Sequence, residues 1–340
     1  AIINAYAQLK ALNIKPTVNI KFFFEGEEEA GSPNLEAFLE LYKNKLASNM
    51  WVICDGPVHQ SGKKQLVMGV RGDTHLELTV FGPKRPLHSG HYGNWVLNPA
   101  MELVRLLASM KNEKGEVTIK GFYDDVIALS TAEKQALANI PSVEDQLKKE
   151  LGINATERTG ALNDALQLPS LNINGIQSAG VGKYSANVIP TKAIASVDMR
   201  LVVGNDWQRQ QQKVIDHIKA QGFFVTDKEP TDEERKLNAK ICMVVQDKKS
   251  YNAQKTSLDN LYVRRISKAI SLVDNEQPLL LPTLGGSLPL FVFEKVLKTS
   301  PVTVPIANHD NNQHAENENI KLKNFFEGIQ VFSAIMTMEK

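Results

Sequence analysis

The sequence predicts an α/β fold: a mostly parallel sheet with helices on both faces, interrupted by an α+β, ferredoxin-like insertion. Near both ends of the chain, apolar strand-like runs alternate with stretches of helical spacing, a pattern typical of βα units around a buried parallel sheet. Between them, strands of period-two alternation are interleaved with helices, which indicates a sheet with one solvent-facing side. We therefore expect an outer domain of residues 1–71 and 257–340 and an inserted domain of residues 72–256.

The elements of the outer domain follow from these two periodicities. Its first part predicts a helix at 1–11, a strand "TVNIKFFF" at 17–24, a helix opened by Pro33 and a strand "MWVIC" at 50–54. Its second part predicts a helix "LDNLYVRRISKAISLV", a turn "TLGGSLP", a helix "SLPLFVFEKVLK", a strand "PVTVPI" and a closing helix over about 320–338.

The same two hydrophobic periodicities predict the strands and helices of the inserted domain. Its predicted strands are "THLELTVFG", "KAIASVDMRLVV" and "KICMVVQD", and its predicted helices are "NPAMELVRLLASM" and "DWQRQQQKVIDHIKAQG". Residues 121–170 are polar and mixed, with a short helix expected at "SVEDQLKKELG", and we expect them to form an insertion or lid loop.

Composition excludes several classes of partner. The 340 residues include 42% hydrophobic residues, enough for about two globular domains, and 39 basic against 38 acidic residues leave a net charge of +1. This balance provides no field that attracts nucleic acid or an anionic membrane, and no apolar stretch approaches the roughly 20 residues of a membrane span. Cys54 and Cys242 lie far apart and form no disulfide framework, so we expect a reducing, cytoplasmic location.

The segment "FFFEGEEEAGS" places three acidic residues in a row, Glu27, Glu28 and Glu29, after a predicted strand. Their mutual repulsion costs free energy unless a cation or a proton relieves it. Successive side chains at a strand end point in opposite directions, so one carboxylate can ligate a cation while its neighbour acts as a general base. The alternative is a solvated acidic loop in which Gly31 makes the turn.

Two further residues extend this set of possible ligands. Asp55 follows the strand "MWVIC", at the carboxyl end where α/β sheets gather ligand-binding groups, although such a residue is also a common turn or N-cap aspartate. His314 lies in the polar loop "HDNNQHAENENI" with Glu316 and Glu318 nearby, and His309 competes for the same role. Carboxylates with one imidazole suit zinc, manganese or cobalt.

Two loops of the inserted domain are candidates for substrate contact. "RPLHSGHYGNW" places His88 and His91 among glycines, where backbone can approach a ligand closely, or else it is a surface turn. "SANVIP" places Asn187 directly before a predicted strand.

Two further segments, one with a charged residue and one with small residues, complete the set of candidate binding residues. Arg200 lies on the polar face of its strand, where it can bind a carboxylate bidentately or only pair with Asp198. Gly285, Gly286 and Ser287 lead into a predicted helix, whose N-terminus would bind anions. No Walker A loop and no GxSxG nucleophile elbow is present in the sequence.

Seven motifs occur in an order that resembles the two-metal peptidases. They are "EGEEEAGS", "CDGP", "GVRG", "LHSGHYGN", "NVIP" with "DMR", "GGSLP" and "QHAENENI". This family includes carnosinases, cytosolic nonspecific dipeptidases, aminoacylases and carboxypeptidase G, and the resemblance is closest to the dipeptidase branch with a long inserted domain. It extends over residues 1–340.

The resemblance implies a role for each candidate of the outer domain. Residues 1–71 and 257–340 would form the catalytic metallopeptidase domain, and it implies two divalent metal ions, zinc first, with manganese or cobalt as alternatives. Glu28 would be the general base that activates a metal-bound water. Glu29 and His314 would ligate one metal, and Asp55 the other.

For the inserted domain, 72–256, the resemblance implies a lid that also carries a homodimer interface. His88 would reach into the partner's site and steady the oxyanion, while Arg200 would hold the substrate carboxylate. Asn187, Gly286 and Ser287 would make the remaining contacts with a small peptide substrate.

One departure from the family concerns metal ligands. The family places a His-x-Asp motif and then a bridging aspartate before the helix that begins here near Ala1, and this sequence contains neither. We therefore expect the sequence to be part of a longer enzyme, and we expect these 340 residues alone to bind metal weakly and hydrolyse little.

The sequence therefore predicts metal-dependent hydrolysis of dipeptides or short peptides with a free carboxylate. One alternative is an amidohydrolase of N-acyl amino acids, which the same residues would permit. A second alternative, from a different class, is a non-catalytic dimeric binding protein.

Overall fold

The computed structural model describes residues 1–339. Its helices are α1 Ile2–Ala11, α2 Leu35–Leu46, α3 Ser89–Tyr92, α4 Pro99–Ala108, α5 Thr131–Ala138, α6 Glu144–Leu151, α7 Leu162–Ala165, α8 Trp207–Ala220, α9 Asp232–Leu237, α10 Leu261–Ser271, α11 Phe291–Leu297 and α12 Leu322–Met336. Short 3-10 helices lie at Glu28–Ala30 and Gly182–Tyr184. Within this part of the chain, no helix combines the length and the apolar character needed to cross a membrane.

The strands are short in the outer domain and longer in the inserted one. They are β1 Val52–Ile53, β2 Gln65–Val67, β3 Gly69–Phe81, β4 Leu87–His88, β5 Ser170–Gln177, β6 Val188–Ile189, β7 Lys192–Leu201, β8 Phe224–Thr226, β9 Ile241–Gln246, β10 Gln254–Lys255, β11 Leu279–Leu281, β12 Leu284–Ser287 and β13 Val302–Thr303.

The outer sheet has the order β1-β13-β2-β11. β1 pairs with β13 in parallel and β2 pairs with β11 in parallel, whereas β13 and β2 are antiparallel. Helices α1, α10 and α12 bury one apolar cluster against this sheet, and α2 and α11 bury a second, separate cluster around Trp51 and Phe293. The predicted α/β architecture with flanking helices is confirmed, as a mixed sheet.

The inserted domain contains a sheet in the order β5-β7-β3-β9-β8. β7 alternates as predicted: Ala193, Ala195, Val197, Met199 and Leu201 are all almost fully buried. They belong to a core that includes residues of α4 and α8, because both helices carry an apolar stripe at helical spacing. The sheet is antiparallel except for the parallel pair of β8 and β9, and its packing with two helices agrees with the predicted α+β insertion. The boundaries at residues 72 and 256 stay a prediction.

β3 joins the two parts of the molecule. Its first residues pair with β10 and β12, and its later residues pair with β7 and β9 of the inserted sheet. At Gly72 the backbone of the crossing chain is so close that an added Cβ would lie 2.6 Å from the carbonyl oxygen of Tyr251 and 2.6 Å from the nitrogen of Ala253. The start of the inserted sheet is therefore packed tightly against the returning chain at Tyr251–Ala253, directly before β10.

The prediction of a buried strand at 17–24 is wrong. The segment keeps an alternating pattern of exposure, but Phe22 is 37% exposed and Phe24 is 71% exposed, and it forms no strand in the described structure. A strand exists only where a neighbouring backbone completes its hydrogen bonds, and none of residues 1–339 pairs with this segment as a ladder.

The interpretation of "TLGGSLP" as a turn that opens a helix is also wrong. Gly285, Gly286 and Ser287 lie in β12, which pairs in parallel with β3, and α11 begins only at Phe291. The partner strand is more than two hundred residues away in sequence, so local composition could not reveal it. The anion site that we expected at a helix N-terminus is therefore absent at these three residues.

Candidate active site

Two loops leave the carboxyl ends of adjacent parallel strands. Val52 pairs with Val302 and Ile53 pairs with Thr303, and the backbone nitrogen of Val58 donates to the carbonyl oxygen of Ala307 at 2.7 Å. The loop after β1 carries Asp55, and the loop after β13 carries His314. Parallel pairing therefore directs both candidate ligands to the same edge of the sheet.

The acidic run forms a 3-10 helix at Glu28–Ala30 instead of the end of a strand. Successive side chains in such a helix diverge by about 120°, so adjacent carboxylates still face different directions. The side chain of Glu27 accepts a hydrogen bond from Nδ2 of Asn34 at 2.9 Å, at the start of α2. Glu27 thus fixes the loop, and Gly31, with a φ of 79°, makes the turn that follows. Glu28 and Glu29 remain for other functions.

Glu29 and His314 are direct neighbours. Nε2 of His314 lies 3.2 Å from Oε2 of Glu29, and both side chains are exposed. The loop reaches this position with three non-glycine residues in the left-handed region: Asn312, His314 and Asn317 have φ values of 55°, 60° and 61°. Two donors of one zinc ion, each about 2.1 Å from it, lie roughly 3 Å apart, so this nitrogen and oxygen fit one divalent ion.

Glu28 lies within electrostatic reach of the other acidic candidates. Burial raises the pKa of Glu28, the carboxylates of Asp55 and Glu29 raise it further, and His314 opposes this shift. A carboxyl with a raised pKa is suited to accept a proton near neutral pH. The crowding also favours a bound cation, because positive charge would relieve the repulsion.

A cavity of about 1120 Å³ opens beside these acids. Glu28, Glu29 and Asp55 line one part of it, and apolar side chains that include Phe23 and Trp51 line another. The candidate ligands are therefore accessible to an ion and to a small solute.

His88 pairs with Val188 in the ladder between β4 and β6, and Asn187 directly precedes β6. The backbone nitrogen of Ser89 donates to the carbonyl oxygen of Asn187 at 3.1 Å, and the ring of His88 lies 4.7 Å from that of His91. Among residues 1–339, no described hydrogen bond or ion pair joins His88 to the acidic residues of the outer domain. The roles of His88 and Asn187 stay predictions.

Arg200 and Ser287 lie at the junction of the two domains. Arg200 pairs with Asp198 and also with Asp73, each at 3.4 Å, and Oγ of Ser287 donates to the carbonyl oxygen of Gly72 at 3.4 Å. Beside Gly286 the space is open, since an added Cβ would meet nothing within 4 Å.

Tyr251 lies close to Arg200 and Ser287 and also to the carboxylate of Glu28. Burial raises the pKa of Tyr251 to about 12, the carboxylates of Asp73 and Glu28 also raise it, and Arg200 and a hydrogen bond with Ser287 oppose the shift. Its phenol therefore stays protonated at neutral pH. No motif marks this residue in the sequence, which is why we did not predict it.

A second group of possible ligands was also missed. Asp73, His75 and Asp198 each offer a ligand atom, and these atoms all lie within 4.8 Å of one another. The alternation of "GDTHLEL" places Asp73 and His75 on one face of β3, and this is the only local signal. Their meeting with Asp198 depends on the register between β3 and β7.

The two groups of possible metal ligands differ in the charges that surround them. Around Asp73 and Asp198 the guanidinium of Arg200 already supplies a positive charge at 3.4 Å from each carboxylate. No such permanent cation pairs with Glu29 or Asp55 in the described residues. Glu29 and His314 are in direct contact, but among the described residues Glu29, Asp55 and His314 do not form a group of donor atoms within 4.8 Å of one another, so Asp55 is left for a separate ion.

Comparison with known proteins gives the same family from sequence and from structure. Residues 69–223 match the peptidase dimerisation domain of the M20 family. The chain is 29% identical to the Cys-Gly metallodipeptidase dug1 of Schizosaccharomyces pombe, over 97% of this chain and 68% of that protein. It is 28% identical to the human Beta-Ala-His dipeptidase, over 98% of this chain and 64% of that protein.

Among solved structures, the M20 family metallo-carboxypeptidase Sso-CP2 of Sulfolobus solfataricus superposes with a TM-score of 0.84 and 26% identity, over 98% of this chain and 73% of that one. The chain thus spans about two thirds of the length of the curated relatives and nearly three quarters of this structure. Matches of this extent over nearly the whole of the present chain, together with the ordered motifs, lead to one conclusion: the chain is similar to the metallopeptidases of the M20 family over nearly its whole length.

Proposed function

We propose that this chain forms the larger part of a metal-dependent dipeptidase that hydrolyses the peptide bond of dipeptides or short peptides with a free carboxylate. The observation that carries this proposal is the contact of His314 with Glu29 at 3.2 Å, beside the carboxyl of Glu28, whose pKa is raised. Relatives named as Cys-Gly metallodipeptidase and Beta-Ala-His dipeptidase support the same substrate class.

Glu29 and His314 would hold one divalent ion, and Asp55 would bind a second. Zinc is our first choice, with manganese and cobalt as alternatives, because carboxylate and imidazole donors accept all three. A divalent ion held there supplies Lewis-acid polarisation of the scissile carbonyl.

Glu28 would act as the general base and then as the general acid. Its carboxylate takes a proton from the attacking water as the oxygen bonds to the carbonyl carbon. When the carbon–nitrogen bond breaks, the same proton passes to the leaving amine. Arg200 would bind the carboxylate of the substrate, and Asn187, Gly286 and Ser287 would contact the rest of the peptide.

We further propose that the protein acts as a homodimer through its inserted domain. Trp95 is 80% exposed, and Leu97, Met101 and Val104 are each about half exposed, all within the region that matches the dimerisation domain. Large apolar side chains exposed together are typical of a protein interface. His88 would then serve the partner's site.

We place the protein in the cytoplasm. Both cysteines are free in the structure, Cys54 exposed and Cys242 buried, which is compatible with a reducing compartment.

The test is hydrolysis after metal removal and return. The full-length enzyme that contains this chain is purified, stripped with a chelator, reloaded separately with zinc, manganese or cobalt, and assayed with a panel of dipeptides and a panel of N-acetyl amino acids. We expect chelation to abolish activity, one of the metals to restore it, and kcat/KM to be larger for dipeptides. A larger kcat/KM for N-acetyl amino acids would replace the dipeptidase by an amidohydrolase, and hydrolysis that survives chelation would exclude both.

A further inference from the structure

Four charged or titratable side chains meet on the solvent-facing side of the inserted sheet, next to the outer domain. The register of β3 and β7 places Asp73 opposite Arg200 and His75 opposite Asp198. Nε2 of His75 lies 3.0 Å from Oδ2 of Asp73, and its Nδ1 lies 3.6 Å from Oδ1 of Asp198. The imidazole therefore hydrogen-bonds with Asp73 and lies beside Asp198, the two carboxylates that also contact Arg200.

The guanidinium of Arg200 is held at two points. Its Nε lies 3.4 Å from Oδ2 of Asp198, and its NH1 lies 3.4 Å from Oδ1 of Asp73. Neither contact uses NH2. Because a guanidinium is rigid and planar, two such contacts fix the direction in which its remaining edge points.

The charges of this group balance. Arg71 is 5% exposed and donates through NH2 to the carbonyl oxygen of Leu168 at 2.7 Å, and its charge lies near those of Asp198 and Arg200. Two arginines thus face two aspartates. Asp198 is only 8% exposed, and burial raises the pKa of its carboxyl while Arg200 opposes the shift, so the aspartate depends on Arg200 as a partner.

We propose that Asp73 and His75, together with Asp198, are positioning residues that hold Arg200 with its free edge directed at the carboxylate of the substrate. The inference rests on the proposed function, in which Arg200 receives that carboxylate. Asp73 and Asp198 hold the guanidinium directly, and His75 acts through them by keeping the two carboxylates at a fixed separation. Neither comparison with relatives nor the motifs of the sequence assigns a role to Asp73 or His75.

Tyr251 supports this placement. Its backbone nitrogen and oxygen exchange hydrogen bonds of 3.0 Å with the backbone of Asp73, so the chain that carries Asp73 is fixed next to Ser287 and near Glu28. A substrate that bridges Arg200 and Glu28 would therefore meet an arginine whose orientation is set before binding. Preorganisation of this kind lowers the entropy lost on binding.

The test measures binding in a protein that cannot turn the peptide over. The parent is the metal-loaded Glu28→Gln variant, and the ligands are Gly-Gly and Gly-Gly amide, which differ only in the carboxylate. Calorimetry should show that the parent binds Gly-Gly more tightly than the amide and that Arg200→Met removes this preference. We expect Asp73→Asn and His75→Asn to weaken binding of Gly-Gly by about tenfold, the loss of one charge-assisted contact, and to change binding of the amide less than twofold.

Glu77→Gln is the matched control, because it removes one negative charge from the same face of β3 at an exposed position. We expect Glu77→Gln to change neither the affinity for Gly-Gly nor the affinity for Gly-Gly amide. Circular dichroism of each variant checks that the fold is retained.

The outcomes separate the two proposals. If the parent shows no preference for Gly-Gly, or if Arg200→Met keeps it, the role of Arg200 in the proposed function is wrong. If Arg200→Met removes the preference but Asp73→Asn and His75→Asn leave it intact, or weaken both ligands equally, the positioning role is wrong while the proposed function stands.

Discussion

Nε2 of His314 and Oε2 of Glu29 lie 3.2 Å apart, although the two residues come from nearly opposite ends of the chain. The contact is made by two loops, one before α2 and one after β13, and it depends on three left-handed backbone conformations in the second loop. Asparagine adopts this conformation readily, whereas for His314 it costs about 1 kcal/mol, and such strain is found mainly at functional sites. The proposed ligation of one metal ion by Glu29 and His314 would require this contact.

Replacing His314 should therefore weaken metal binding. We expect His314→Ala to raise the dissociation constant of the more tightly bound zinc ion by at least about tenfold, measured by competition with a chromophoric chelator. His309→Ala, in the same loop, is the control and should leave it unchanged. Equal losses in both variants would show that the loop, and not the imidazole of His314, is responsible.

We expect Glu28 to be needed for the chemical step and not for metal binding. We expect Glu28→Gln to lower kcat for dipeptides by about a hundredfold or more with the metal content unchanged, because the amide cannot accept the proton of water. Glu27→Gln loses the same charge one residue earlier and should keep kcat within a few-fold. Metal analysis and steady-state kinetics on both variants decide the matter, and retained turnover in Glu28→Gln would contradict the assigned role.

The inserted domain should carry the dimer contact. Trp95→Glu places a charge in the exposed apolar surface around Trp95, and we expect sedimentation to show a shift from dimer to monomer. Leu237→Glu is the control, since Leu237 is 83% exposed but lies outside the region that matches the dimerisation domain. A dimer that survives Trp95→Glu, or one that Leu237→Glu also disrupts, would place the interface elsewhere.

Glu144 provides a test of acid stability. Hydrogen bonds from the hydroxyl of Ser142 and the backbone nitrogen of Leu162 lower the pKa of Glu144 to about 2, from an ordinary value of 4.5. A pKa that is lower in the folded state contributes stability above pH 4.5, and this contribution is lost as the pH falls toward 2. Thermal unfolding of Glu144→Gln should thus begin at lower temperature than that of the parent at pH 7, with a difference that shrinks below pH 4.5. Glu150→Gln, on the same helix, should show no such trend.

Gly72 should be intolerant of a side chain. Because a Cβ would lie 2.6 Å from the backbone of Tyr251 and Ala253, we expect Gly72→Ala to reduce the free energy of unfolding by about 1–3 kcal/mol. Gly175→Ala, where nothing lies within 4 Å, should cost far less, and chemical denaturation measures both. Equal effects would mean that the close approach at Gly72 relaxes easily.

Much of the fold could be predicted from local sequence patterns. The stripes that define α4 and α8 and the alternation of β7 are properties of ten to fourteen consecutive residues, and each appears where the sequence predicts it. Asp55 and His314 could be proposed as neighbours because parallel strands end at one edge. Their functional roles stay predictions.

The features that the sequence did not reveal depend on pairing between distant segments. The partner of β12 is β3, and the contact of His75 with Asp198 requires one particular register of two long strands. A shift by one residue would turn His75 to the opposite face, and nothing in "GDTHLEL" alone selects between the two arrangements. For the same reason, the alternation at 17–24 could not show whether a neighbouring strand is present.

The continuous strand β3 passes from the close backbone contact at Gly72 to Phe81 without a break. From Asp73 to Phe81 it extends roughly 26 Å, and His88 follows beyond that far end. Arg200, opposite Asp73, lies at the end of β3 where the backbone of Tyr251 pairs with Asp73. Two of the residues proposed to contact the substrate from the inserted domain, Arg200 and His88, are thus attached near opposite ends of a single strand.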